Sequence, residues 1–342
     1  MGGLSVSIIV ACHNEAATIR RKLDNCLALA SADPVEILIV DDHSTDETVV
    51  IVSEYLGTHQ PLPVGRTVRL LTNRHASGKN GALSTAFEEA QGSLYLVTDA
   101  DIALGEDVLA RARAYFEADA RIGALCLSPC IASGNPAIEA RYADGYEAFN
   151  RRLKMLQSRL DSLPILHGQA MFLRASLNIA PHNELPADDV DFAFQVRLQN
   201  SRARYVADLP FYEEIAREDG RVFWQKVRRA KAVMRSFWQY RRVLFNPRYG
   251  LFGLVCFPLD FALYFILAPM VLVASLMAAA ELVVWHGVLG GGIVLTGLLV
   301  LLLAPPLRRV ALYLIILLVS QGSLLLERRP RIRWNPQRGH EG

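Results

Sequence analysis

Residues Leu94-Tyr95-Leu96-Val97-Thr98-Asp99-Ala100-Asp101 read as a short buried strand that ends in two carboxylates. In an open α/β sheet, ligands sit just beyond the carboxyl ends of the strands. Two acids one residue apart in such a loop suit a hard divalent cation that bridges a diphosphate. Taken alone, Asp-x-Asp is a weak signal, because a strand emptying into a solvated turn looks the same. The neighbouring sequence decides between the two.

Three earlier stretches repeat the pattern of apolar run, polar end and helix. Ser5–Ala11 (SVSIIVA) is a β-branched run that empties into Cys12, His13, Asn14 and Glu15, and Ala16–Leu29 then shows helical spacing through Ile19, Leu23, Cys26 and Leu27. Val35–Val40 ends in Asp41-Asp42-His43-Ser44, and Ser44 with Glu47 forms a capping box for a helix to about Tyr55. Val68–Thr72 leads through residues 73–81, which include Lys79, into a helix carrying Leu83, Ala86, Phe87 and Ala90. This alternation predicts an α/β fold with a mostly parallel sheet and helices on both faces. Its carboxyl edge gathers His13, Asn14, Glu15, Asp41, Asp42, Lys79, Asp99 and Asp101. No G-x-G-x-x-G follows the first strand, which argues against a dinucleotide site of the usual kind.

Further on, Ile165–Arg174 reads as a glycine-containing loop running into a strand. Pro186-Ala187-Asp188-Asp189-Val190-Asp191-Phe192 leads into a helix to about Gln199. Acids at a helix start are favoured by capping and by the helix dipole, so on their own they fit structure and catalysis equally.

Composition divides the chain. Its 342 residues carry a formal net charge of +2, which exerts no general pull on nucleic acid, and 52% are hydrophobic. The excess apolar content lies from Leu251 onward, which predicts a soluble domain followed by a membrane region. Five cysteines (Cys12, Cys26, Cys126, Cys130 and Cys256) show no zinc spacing, and their odd number fits reduced thiols. The first residues enter a strand without a charged and apolar leader, so the first half is expected in the cytoplasm.

VSIIVACHNEAATI (6–19), ILIVDDHSTDETV (37–49), SGKNGALSTAFEEAQG (77–92) and LYLVTDAD (94–101) resemble, in order and spacing, the four donor-site motifs of the family 2 glycosyltransferases. That resemblance implies the GT-A fold and an inverting transfer from a nucleoside-diphosphate sugar, UDP-linked in the first instance, with Mg²⁺ or Mn²⁺. It implies that Ala11, His13 and Glu15 line the base pocket, and that Asp42, with Asp41 second, hydrogen-bonds the base. Lys79 would sit near the nucleotide, Asp99 near the ribose and sugar, and Asp101 with Asp99 on the metal. Gly168 and Gln169 open a segment similar to the family's Gly-x-x-x-x-x-Arg strand beneath the sugar. Asp189 falls where the family carries its general base, with Asp188 in reserve. His13 stands in place of a frequent tyrosine, which leaves the base open. Gln225-Lys226-Val227-Arg228-Arg229 resembles the Gln-x-x-Arg-Trp motif, placing Gln225 and Arg228 toward diphosphate and acceptor. Arg229 occupies the tryptophan position, which points away from processive synthesis.

Residues 1–215 are therefore expected to form the catalytic domain and 216–250 a basic amphipathic segment. Within it, Phe223, Val227, Ala230, Met234 and Phe237 share a face that suits a headgroup layer. Residues 251–326 should hold two or three spans: Leu251–Ala280 kinked at Pro258 and Pro269, Leu282–Ala304, and a short Val310–Leu326. Residues 327–342 form a basic tail. Arg308-Arg309 and Arg328–Arg333 both favour the cytoplasm, and three full spans do not satisfy both. The expected enzyme is a multi-pass inner-membrane glycosyltransferase with a cytoplasmic site, acting on a lipid-linked or polysaccharide hydroxyl among membrane lipids. Sugar transfer to polyprenyl phosphate is the alternative. A non-catalytic nucleotide-sugar-binding scaffold is a third class, against which the intact Asp99, Asp101 and Asp189 argue.

Overall fold

The computed structural model describes residues 4–131, 146–213 and 221–327, and divides into two compact units. The first comprises the described residues up to 213 together with Asn246–Cys256, and the second comprises 221–245 and 257–327.

In the first unit β1 (Val6–Cys12), β2 (Val35–Asp41), β3 (Arg66–Thr72) and β4 (Leu94–Thr98) alternate with α1 (Ile19–Ala28), α2 (Thr48–Thr58) and α3 (Lys79–Glu89). There follow β5 (Ile102–Leu104), α4 (Val108–Ala118), β6 (Ile122–Ile131), α5 (Tyr146–Leu160), β7 (Ala170–Arg174), α6 (Asp188–Leu198) and β8 (Arg202–Glu213). Among the described residues the strands form one sheet in the order β3-β2-β1-β4-β7-β6-β8-β5. The first four are mutually parallel, β7 runs against both β4 and β6, and β6 and β8 are parallel. The sheet is mixed, with the parallel half as expected.

Strand β1 shows why both faces need helices. Val6, Ile8, Val10 and Cys12 pack with Ile19, Leu23 and Cys26 of α1, while Ile9 and Ala11 pack on the other face with Ala82, Leu83 and Ala86 of α3. A strand buried on both sides reads as a continuous apolar run rather than an alternation. The parallel register, Cys12 beside Asp41 and Asp41 beside Thr72, brings the strand ends level. The first residue of β7, Ala170, pairs with the last of β4, Thr98, so the loop before β7 reaches the same edge.

Two local expectations change. Ser44 does not cap α2: the helix starts at Thr48, the Glu47 side chain before it makes no cap, and the Asp46 carboxylate accepts the Thr48 N–H at 3.0 Å. The Ser44 hydroxyl instead accepts from the Asn14 backbone N–H at 2.9 Å, and the Thr48 hydroxyl accepts from that of Glu15 at 2.8 Å. The hydroxyls of this turn therefore serve a neighbouring loop. Asn246–Cys256, expected in the interfacial and membrane regions, packs within the first unit. Arg197 donates to the Tyr249 carbonyl at 3.0 Å, the Phe252 N–H donates to Asp161 at 3.0 Å, and Phe252 meets Phe194 edge-on.

The second unit contains α7 (Arg221–Gln239), α8 (Phe257–Phe265), α9 (Leu267–Leu303) and α10 (Pro305–Leu326). The apolar face of α7 is not left for headgroups. Val227, Ala230 and Met234 are buried against Ala268, Ile316 and Leu317, and Phe237 meets Phe257 and Tyr264 edge-on. Protein from α8 to α10 covers the stripe, and Trp224 and Trp238 of α7 remain exposed. Pro258 lies within the apolar helical run Phe252–Phe265, directly after a π-helical turn over Phe252–Cys256, and Pro269 follows the break at Ile266 between α8 and α9, so the run is interrupted near both prolines. No break occurs at residue 281; the interruption of α9 lies at Gly287, whose φ of 53° is non-helical. By length and composition, two helices among the described residues could cross a membrane, Leu267–Leu301 and Leu307–Leu326. Asp260 is buried, and the basic tail Arg328–Arg333 lies outside the described residues.

Candidate active site

Asp42, 0% exposed, organises the loop between β3 and α3. Its Oδ1 accepts from Asn73 Nδ2 at 2.6 Å, and its Oδ2 accepts from the Gly78 N–H at 2.7 Å and the Ser77 hydroxyl at 3.2 Å. Both Asp42 oxygens are thus engaged by donors of this one loop, which gives the carboxylate a scaffolding place in it. Asp41 is 5% exposed; its carboxylate accepts the Ser44 N–H at 3.3 and 3.2 Å, and its carbonyl accepts the Asn73 N–H at 2.8 Å. Ala11 is buried in the sheet core. His13 is half-buried with Nδ1 2.7 Å from the Asp42 carbonyl, and Asn14 beside it holds φ 57° while its side-chain oxygen accepts the Thr45 N–H at 2.7 Å. Glu15 accepts from the Thr18 hydroxyl at 2.7 Å.

Gly78, at φ +128°, turns the loop so that Lys79 opens α3. The Lys79 ammonium is the hub of the site. It donates to Asp99 Oδ1 at 2.8 Å and to the Gly168 carbonyl at 2.8 Å, and lies 3.4 Å from Asp188 Oδ2. Burial alone would lower its pKa, but the Asp188 and Asp99 carboxylates reverse that and raise it, so it stays charged. The Asp99 N–H donates to the Gln169 carbonyl at 2.9 Å, which joins the β4 end to the loop before β7. Gly168 and Gln169 thus act through their backbone oxygens.

Asp188 and Asp189 open α6. A β-carbon at Gly168 would lie 3.4 Å from Asp188 Oδ1, so this glycine leaves the space in front of the pair open. Asp188 Oδ2 is buried and has no hydrogen bond among the described residues. Burial, then the neighbouring Asp188, pushes the Asp189 pKa up to about 6, against the opposing pull of Lys154 and Lys79. A carboxylate that titrates there can take a proton near neutral pH. Asp191, the third acid of the segment, is structural: fully buried, it accepts from His182 and from Gln195 Nε2.

Several residues of this site are not singled out by the sequence. Lys154 of α5 is buried and donates to the Ile165 carbonyl. His167 lies 2.8 Å, through Nδ1, from the Leu127 carbonyl; burial and then Lys154 push its pKa down to about 3. The neutral ring must therefore carry its proton on Nδ1 to donate there. Asn80 donates to the His182 and Leu185 carbonyls at 2.9 and 2.7 Å, fastening α3 to the chain before α6. Gln225, Arg228 and Arg229 lie on α7, in the second unit.

Asp99 and Asp101 are both partly exposed at the sheet edge. Among the described residues no group of three or more His, Cys, Asp or Glu side chains is set to hold a metal. Asp99 and Asp101 offer two hard carboxylates, the first already shared with Lys79. That set fits Mg²⁺ or Mn²⁺, ions that take few protein ligands and complete their shell with phosphate oxygens and water.

Three comparisons bear on this geometry. A mannosyltransferase from Pyrobaculum calidifontis, solved with GDP-Man and Mn²⁺, superposes with a TM-score of 0.77 at 25% identity, over 95% of this chain and 88% of that one. A beta-monoglucosyldiacylglycerol synthase of Nostoc sp. is 28% identical over 197 residues, covering 56% of this chain and 41% of the relative. A poly-beta-1,6-N-acetyl-D-glucosamine synthase of Staphylococcus epidermidis is 23% identical over 240 residues, 68% of this chain and 56% of the relative. The chain therefore spans about half the length of these curated relatives. The profile of glycosyl transferase family 2 matches residues 7–179, half of the chain. Together with a sheet edge that carries the motif residues, this match shows that the chain belongs to glycosyl transferase family 2.

Proposed function

We propose that this protein transfers a sugar, with inversion, from a nucleoside-diphosphate sugar to a hydroxyl of a lipid-linked or saccharide acceptor. The observation that carries the reading is the Lys79 hub, in which one ammonium holds the Asp99 turn, the Gly168 loop and the Asp188 side of the acid pair. Donor-side and acceptor-side groups thereby meet one ammonium, the first through hydrogen bonds and the second through an ion pair. Asp189 takes the proton of the acceptor hydroxyl as its oxygen bonds to the anomeric carbon and the bond to the diphosphate breaks. Asp99 and Asp101 would hold Mg²⁺ or Mn²⁺, which supplies charge neutralisation for the departing diphosphate. Asp41, rather than Asp42, is the acid left to face the base.

A hydroxyl acceptor is favoured over polyprenyl phosphate. Asp188 and Asp189 together present two carboxylates, which a phosphate acceptor would have to approach. The glycolipid and polysaccharide synthases among the relatives support a lipid or saccharide acceptor. The two long apolar helices support membrane anchoring, with the catalytic unit on the cytoplasmic side where nucleotide sugars are made. Arginine at 229 removes the flat ring on which a growing chain would rest, so the product is one sugar longer, or a few.

The test is a screen of UDP- and GDP-sugars with Mn²⁺ and the detergent-solubilised full chain, following nucleotide release and sizing the product by mass spectrometry. Release dependent on a glycolipid or saccharide hydroxyl, with one or a few additions, is expected. Activity confined to polyprenyl phosphate would overturn the acceptor, and a ladder of long polymer would overturn the short product.

A further inference from the structure

Lys22 is a buried cation to which the chemistry above gives no task. It lies on the core-facing stripe of α1 with Ile19, Leu23 and Cys26, and is 1% exposed. A buried ammonium is costly to desolvate, and an apolar side chain of similar volume would fill the position without that cost. Its partners show what it does instead. Nζ donates to the Thr98 hydroxyl at 2.7 Å and to the Ile102 carbonyl at 3.1 Å. These two residues immediately precede and follow Asp99-Ala100-Asp101. One turn along the same helix, Asn25 Nδ2 donates to the Leu104 carbonyl at 2.8 Å and Asn25 Oδ1 accepts the Leu104 N–H at 2.9 Å. Helix α1 thus grips the chain at residues 98, 102 and 104, with the two carboxylates held between the first two points. Burial lowers the Lys22 pKa, and Cys26, Asp99 and Asp101 oppose that shift, so both acids lie within its electrostatic reach.

We propose that Lys22 is a positioning residue for the cation site: its ammonium pins both ends of the Asp99–Asp101 turn and offsets the mutual repulsion of the two carboxylates before a divalent ion enters. The proposal rests on reading Asp99 and Asp101 as that site. The same charge also repels an incoming cation, so the two effects oppose each other. The geometry favours the first. The ammonium is engaged by two neutral acceptors flanking the turn, and a turn already shaped need not be ordered when the ion binds.

The experiment titrates Mn²⁺ into the detergent-solubilised full chain with saturating UDP or GDP, whichever binds the wild type, and follows free Mn²⁺ by electron paramagnetic resonance. Nucleotide affinity is measured separately without metal. Lys22→Met should weaken Mn²⁺ binding about tenfold, the lower end for partners that orient metal ligands, with metal-free nucleotide affinity unchanged. Thr98→Val keeps the ammonium but removes one anchor, and should weaken Mn²⁺ binding in the same direction, by about threefold; it serves if Lys22→Met does not fold. Unchanged or tighter Mn²⁺ binding in the folded variants would overturn the proposal. So would a parallel loss of metal-free nucleotide affinity, which marks a general structural role. A wild-type chain that binds no Mn²⁺ in the presence of either nucleotide would remove the cation site itself, and Lys22's role with it.

Discussion

In the proposed reaction the acceptor proton goes to Asp189, and the environment of that carboxyl group would set the pH at which it accepts one. Its folded pKa of about 6 lies above the ordinary aspartate value, so the native state prefers the protonated form. The resulting stability is fully present below the unfolded pKa and is lost as pH rises through about 6. Asp189→Asn should therefore raise the unfolding free energy at pH 7 by on the order of 1–3 kcal/mol, a gain that disappears at pH 4. The same variant should cut transfer roughly 10²–10⁴-fold while leaving donor affinity near normal. In the wild type, kcat/KM should rise with pH to a plateau with a midpoint near 6, and Lys154→Met, which removes a cation that lowers the Asp189 pKa, should move that midpoint up. An inactive Asp188→Asn beside an active Asp189→Asn would transfer the role to Asp188. The acid pair was legible as two carboxylates at a helix start, and Asp188 and Asp189 do open α6. Lys22, Lys154 and His167 were not, because their partners lie 11 to 80 positions away and only the folded chain brings them together.

At the scale of elements, the 73–78 loop decides whether Lys79 reaches its three partners. Asp42→Ala would leave the Asn73 amide, the Ser77 hydroxyl and the buried Gly78 N–H without their acceptor. We expect a loss of roughly 2–5 kcal/mol in denaturant unfolding, together with a raised donor KM as Lys79 shifts. If Asp42 held the base instead, donor affinity would fall while stability stayed near the wild type. Gly78→Ala, at φ +128°, should cost on the order of 1–3 kcal/mol through backbone strain and also disturb Lys79. The strands of this region were readable from apolar runs and motif ends. The capping box at Ser44 was misread because a hydroxyl can serve any nearby N–H, and the tertiary partners, Asn14 and Glu15, are more than 29 residues away. The antiparallel β7 was also hidden, since a buried run gives no sign of its direction.

For the molecule as a whole, the open question in the sequence was where the two basic clusters lie. Within the second unit, the end of α10 returns to α7. Lys231 donates to the Ser323 hydroxyl at 3.1 Å, both Lys231 and Arg235 pair with Glu327, and Ser320 donates to the Val227 carbonyl at 3.3 Å. The start of α9 is at the same level, because Ala268 packs with Ile316 and Leu317 and Gln321 Nε2 donates to the Tyr264 carbonyl at 2.8 Å. The chain therefore leaves this level along α9 and comes back along α10. Residues Arg308 to Glu327 cover roughly 29 Å of helix at 1.5 Å per residue, close to the hydrocarbon thickness. Arg308-Arg309 would then lie across the membrane from α7, while Glu327 shares the side of α7. Single cysteines at Arg308 and at Glu327, in a background lacking the native thiols, should react with a membrane-impermeant maleimide from opposite faces of sealed vesicles. A cysteine at Trp238 should label with Glu327→Cys and not with Arg308→Cys. Labelling of positions 308 and 327 from the same face would show that α10 does not cross and would leave it as a re-entrant or interfacial helix.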